Sequence, residues 1–155
     1  FSMTCNTLVS NMIGAGREDK VMSLIKRILK LSYYVVIGCA LIFCIFPSLV
    51  ISIYTNIPDL IQASVPSIIV MTSAYLLNVG GQVYFQAVSG TGSTKTAFRL
   101  EMIALAVYMV YCTVIIGILK LDVAICWTAE HVYSGMLLIL GWWYMRSGRW
   151  KNRRI

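Results

Sequence analysis

Acidic side chains are scarce in this sequence. Six Asp and Glu and a single His stand among 155 residues, and only Glu130, with His131 beside it, falls well inside an apolar run. No carboxylate pair and no Ser/His/Asp set occupies a plausible site, so an enzyme is not expected. The cysteines Cys5, Cys39, Cys44, Cys112 and Cys126 have no short paired spacing. Neither a zinc site nor a disulfide framework is therefore expected, and they read as small packing residues. The glycine-rich stretches lack both the third glycine of a dinucleotide fingerprint and the Gly-Lys-Ser/Thr ending of a P-loop, which excludes nucleotide binding through either motif. A signal peptide is also missing: Phe1 stands inside what reads as the last turns of a helix, so the chain is expected to be the back part of a longer polypeptide.

Charge of either sign is missing from long stretches. Residues 31–58, 60–94 and 102–119 contain none, and 123–145 contains only Glu130. About 20 predominantly apolar residues cross the hydrocarbon of a bilayer as a helix, so each stretch is long enough to span. With 59% hydrophobic and 12% charged residues and a mean hydropathy of +0.78, the composition lies far from that of ordinary soluble domains, about a quarter of whose residues are charged. The expected fold class is an all-α integral membrane protein with four full transmembrane helices and the end of a preceding one.

The net charge of +7 is not distributed as a nucleic-acid-binding surface would be. Arg17, Lys20, Lys26, Arg27 and Lys30 precede the first full span, and Arg146, Arg149, Lys151, Arg153 and Arg154 follow the last. By the positive-inside rule these clusters and the Lys95/Arg99 loop face the cytoplasm, while 55–59 and 120–122 face out. The expected order is the end of a helix (1–13), spans at 31–55, 60–89, 100–119 and 123–145, and a basic cytoplasmic tail (146–155). Residues 17–30 should form a charged helix leading into the membrane. Pro47 should kink the first span, because proline removes a backbone hydrogen bond and clashes with the preceding turn. The second span would be about 45 Å long against about 30 Å of hydrocarbon, so it should bend at Pro66 and protrude. Gly14-Ala15-Gly16 and Gly90-Thr91-Gly92 both place Gly-x-Gly at the same end of a helix, with Ser93 or Thr94 able to cap the helix that follows.

Two groups of residues are candidates for function. Ser64, Ser67, Met71, Tyr75, Asn78, Gln82 and Gln86 recur at steps of three and four, which sets them along one side of the second span. Amides such as Asn78 and Gln82 cannot face hydrocarbon without losing their hydrogen bonds, so this side must meet other helices or a wet cavity. A substrate-lining face and interhelical glue, worth on average about 0.6 kcal/mol per bond, are both open readings. Glu130 and His131 form the second group, as a coupling site for a proton or cation or as a residue reaching water from the outer leaflet. An acidic group at a helix centre costs on the order of 3 kcal/mol, so its neighbours must help it insert.

Three segments carry a resemblance: LVSNMIGAGR at 8–17, YFQAVSGTGST at 84–94 and SGRW at 147–150. In order and spacing they resemble the multidrug and toxic compound extrusion (MATE) family. The likeness covers nearly the whole chain and aligns it with the distal part of the second six-helix lobe of a twelve-helix, two-lobe transporter. It implies a secondary antiporter that exports organic, often cationic and amphipathic compounds in exchange for protons or sodium, with no other cofactor. By analogy Tyr75, Asn78, Gln82 and Gln86 are substrate-cavity candidates, facing a first lobe that is not part of these residues. Some family members carry an acidic coupling residue on the helix corresponding to the second span; here no Asp or Glu lies between 60 and 94. The expected partners are the lipid bilayer, a small organic substrate and the other lobe of the same polypeptide, without nucleic acid. A lipid-linked oligosaccharide flippase of the same superfamily and a non-transporting membrane scaffold are the alternatives. The first calls for a cationic cavity, which spans one, two and four do not supply.

Overall fold

The computed structural model describes residues 2–119 and 121–151. The expected contributions of Lys120 to one loop and of Arg153 and Arg154 to the tail lie outside the described residues. Every described element is helical. The chain runs through α1 (Ser2–Gly14), α2 (Val21–Ile45), α3 (Pro47–Ser52), α4 (Pro58–Gly90), α5 (Thr94–Cys112), α6 (Val123–Cys126) and α7 (Ala129–Arg146). Four stretches, Glu18–Ile45, Pro58–Gly90, Thr94–Ile118 and Val123–Arg146, are long and apolar enough to cross a membrane.

Local chemistry accounts for the breaks. At the end of α1, Gly16 takes a φ of 69°, and the N–H groups of Gly16 and Arg17 bond to the carbonyls of Ile13 and Met12 at 2.9 Å each. This pair of bonds closes the helix through a left-handed residue, which glycine adopts without a Cβ clash. Gly92, with φ 75°, turns the chain in the same way between α4 and α5. The predicted charged helix and first span are one helix: after a 3₁₀ turn at Glu18–Lys20, α2 meets no proline until Pro47 and continues unbroken from Val21 to Ile45. Pro47 ends it outright, leaving Phe46 non-helical at φ −124°, ψ 52° and restarting the chain as the short α3. Pro66, by contrast, lies inside α4 without terminating it. At 33 residues, α4 is about 50 Å long, well beyond the hydrocarbon thickness.

The last two spans are less regular than their apolar patterns suggest. Beyond Cys112 the third continues as a π-helical turn, Thr113–Ile118. The fourth is interrupted at Trp127 and Thr128, where the N–H groups of Glu130 and His131 bond three residues back, to Trp127 O at 3.2 Å and Thr128 O at 3.0 Å. A hydrogen bond of 2.9 Å between Tyr111 Oη and Thr128 Oγ1 ties this break to α5.

Helix α4 is the axis of the assembly. It touches α1, α2, α3, α5, α6 and α7, and most extensively α7. Glycine permits that approach. A Cβ on Gly81 would stand 2.8 Å from the backbone oxygen of Ser134, and one on Gly141 would stand 2.8 Å from Tyr84 Cβ. Hydrocarbon gives helices no hydrophobic drive to associate, so such small-residue contacts supply the dispersion energy that holds them together.

Burial is concentrated at one end. Cys5, Val9, Val21, Ile25, Val88 and Trp150 belong to a single core beside the two Gly-x-Gly turns. The 147–150 turn folds back beneath it: Gly148 takes a φ of 68°, and Trp150, only 1% exposed, donates its indole N–H to Met145 O at 2.8 Å. Towards the other end α2 presents no buried residue beyond Ser32, and the helices leave open spaces between them.

Replacing Gly81 with Ala should destabilise the full-length protein by about 1–3 kcal/mol, since the new methyl meets rigid backbone. A Cβ added at Gly135 would meet nothing within 4 Å, so Gly135→Ala should be neutral or slightly stabilising. Thermal unfolding of the two variants in detergent checks the contrast, and equal melting temperatures would contradict it.

Candidate functional site

The interruption between α6 and α7 sets Trp127 and Glu130 opposite the middle of α4. Together with Met71, Ala74, Tyr75 and Asn78 of α4, and Ser134 of α7, they line a cavity of about 280 Å³. One periodicity explains the arrangement on each side: Met71, Tyr75 and Asn78 follow at four and three residues, and Trp127, Glu130 and Ser134 at three and four. Two stripes on segments that run parallel, with Ser73 beside His131, Asn78 beside Ser134 and Tyr84 beside Gly141, thus face each other across a gap.

Polar contacts fix the lower wall. Asn78 Nδ2 donates to Ser134 Oγ at 3.2 Å, and Ser134 is 1% exposed. The same serine contributes the backbone oxygen against which Gly81 packs, so close helix approach and amide orientation depend on one contact. An Asn side chain has two donors and an acceptor. One donor is used on Ser134, and the rest of the amide faces the cavity that Asn78 lines.

Glu130 supplies the cavity's only carboxylate among the described lining residues. On its other side it lies within electrostatic reach of Tyr108 and Tyr133, whose rings meet edge to face with centroids 5.9 Å apart. His131 turns elsewhere: its Nε2 is 2.8 Å from Ser73 Oγ. Because Ser73 donates its own proton to Val70 O at 2.7 Å, it accepts from His131, which places the imidazole proton on Nε2. The two candidates for ion coupling therefore diverge, one into the cavity and one into the α4–α7 contact.

The predicted stripe also divides. Tyr75 and Asn78 line the cavity, whereas Gln86 accepts a hydrogen bond from Asn6 Nδ2 at 3.0 Å and joins α4 to α1. Gln82 is half-buried between them and lines neither space. Ser64 bonds to the Leu60 carbonyl of its own helix at 2.8 Å. Tyr75, 53% exposed, stands between the polar cavity and a second space of about 470 Å³, walled by apolar side chains such as Cys39, Phe43 and Ile68. Met71 is shared by both spaces as well. Sequence reasoning missed Trp127 and Ser134 as lining residues, although their spacing from Glu130 places all three on one helical face. Among the described residues no group of three or more His, Cys, Asp or Glu could hold a metal ion.

A model of the family described as MatE matches residues 1–115. No curated protein and no solved structure matches the chain.

With the native cysteines replaced, Asn78→Cys and Glu130→Cys in the full-length protein should react with a membrane-impermeant thiol reagent. Ala87→Cys, at a position of 0% exposure, should stay protected. Protection of all three would show that the cavity is dry.

Proposed function

The chain belongs to the MatE family of membrane transporters, and from that premise we propose that it is part of a secondary antiporter that exports organic, amphipathic and often cationic compounds in exchange for protons or sodium. The observation that carries this reading is the juxtaposition of Glu130, Trp127, Tyr75 and Asn78 around one cavity. A carboxylate attracts a cationic group, an indole face adds a cation–π contact, and the amide fixes orientation. The apolar space on the far side of Tyr75 suits the hydrophobic body of the same molecule.

In this reading the chain forms the distal part of the second lobe, with its basic end in the cytoplasm of a plasma or inner membrane. The cavity opens towards the first lobe of the same polypeptide. Alternating access then follows from rocking of the two lobes, driven by the different affinities of substrate and ion for the two states. The tight core at the basic end supports movement of this lobe as one body. The turn of i→i−3 bonding at Trp127 and Thr128 supports a site there, because irregular backbone at membrane depth is tolerated where it lines a cavity or is buried in protein.

Glu130 is the group through which an exchanged cation would act. Competition between substrate and ion for one carboxylate couples their movements in opposite directions. His131, occupied with Ser73, serves the α4–α7 contact instead. A flippase for an anionic lipid-linked sugar is less well supported, since the cavity offers a carboxylate and no Lys or Arg. The scaffold reading accounts for Gln86 and Asn6 but leaves Glu130 facing open space.

Efflux assays on the full-length protein test the proposal. Glu130→Gln should lower ion-driven efflux about tenfold, equivalent to about 1.4 kcal/mol, with normal abundance in the membrane. Asn78→Leu should act in the same direction by weakening substrate binding. Unchanged efflux in both would assign transport to other residues.

A further inference from the structure

We propose that the basic end of the chain carries a binding surface for the headgroups of anionic phospholipids, formed where the start of α5 meets the end of α7. The two ends are joined by a buried hydrogen bond, Tyr144 Oη donating to Ser93 Oγ at 3.0 Å. Ser93 immediately precedes α5, and Tyr144 lies two residues before the last residue of α7. The cations that follow each of them therefore stand on neighbouring helix ends.

On the α5 side Lys95 and Arg99 flank an open recess of about 510 Å³, completed by Thr94 and Phe98. On the α7 side the guanidinium of Arg146 lies 5.0 Å from the Trp142 ring centre and that of Arg149 lies 5.4 Å from Trp143. Neither Lys95, Arg99, Arg146 nor Arg149 makes an ion pair among the described residues. Four positive groups on two neighbouring helix ends thus carry no ion-pair partner among the described residues.

The aromatic residues identify the source of the missing anions. Phe98, Trp142 and Trp143 are 62%, 40% and 53% exposed, an apolar wall that a dissolved phosphate ion would leave uncovered. Indole and guanidinium stacked at the end of a membrane helix match the interface instead: the ring lies at headgroup level, while the cation turns its remaining donors to phosphate. The recess at the α5 start adds the backbone amides of a helix N-terminus, which favour an anion. Charge, aromatic wall and helix end together fit a phosphodiester that remains attached to its acyl chains. This surface lies apart from the transport cavity and does not depend on what the cavity carries.

Native mass spectrometry of the full-length protein, loaded with phosphatidylglycerol or phosphatidylcholine, tests the proposal. Phosphatidylglycerol should be retained preferentially. Lys95→Gln with Arg99→Gln, or Arg146→Gln with Arg149→Gln, should weaken it about fivefold per cation removed, whereas Arg146→Lys with Arg149→Lys should keep most of the preference. The pair Lys26→Gln with Arg27→Gln removes the same charge from exposed positions on α2 and should leave retention unchanged. Equal retention of the two lipids would overturn the proposal, as would an equal loss in the α2 pair, which would mean diffuse attraction. Displacement of phosphatidylglycerol by millimolar inorganic phosphate would overturn it in favour of a soluble anion.

Discussion

The approach of α4 to α7 is the contact on which the rest of the structure depends. A helix surrounded by lipid gains little by burying Leu against Leu, because the alternative environment is equally apolar. Backbones that come close enough for dispersion and hydrogen bonding gain more, and Gly81 and Gly141 allow this where any side chain would strike Ser134 O or Tyr84. Once that distance is set, Asn78 reaches Ser134, and the two polar stripes come into register. The cavity is thus a consequence of helix packing: the bundle is buried most tightly at the end with the Gly-x-Gly turns, and further along α4 and α7 leave a space beside their Ser73–His131 contact.

Polar side chains in this chain fall into two physical classes. Some bond across helix contacts, as in Gln86 with Asn6, the Nε2 of His131 with Ser73 and Tyr144 with Ser93; these hold the bundle together. Others, Glu130 and part of the Asn78 amide, face an open space. In a medium without water the second class is costly unless the space is hydrated or filled. Under the proposed transport function, that cost separates the working surface from the structural joints.

Much of this was legible in the sequence. Four spans followed from uncharged runs, the helix ends from Gly-x-Gly, and a distortion at Pro47, expected as a kink and found as a full break, from the missing N–H of proline. Family membership was readable from three short segments in order, and the match over residues 1–115 shows it. Less accessible was the division of the α4 stripe. Periodicity places Tyr75, Asn78, Gln82 and Gln86 on one side but cannot say where the facing helices touch and where they part. The interruption at Trp127 and Thr128 was hidden as well, since neither glycine nor proline marks it; the Thr128 hydroxyl there bonds both to Ile125 O of its own segment and to Tyr111 of α5. The merging of residues 17–30 with the first span has the opposite cause, because a change from charged to apolar composition does not itself end a helix.

The central claim is that water reaches the α6–α7 junction while the opposite end of the lobe stays dry. Amide hydrogen exchange of the full-length protein in lipid nanodiscs measures this directly. Rapid exchange is predicted at residues 127–131, where backbone bonding is irregular beside the cavity, and strong protection at 83–90, within the buried core. Equal protection of the two segments would contradict it.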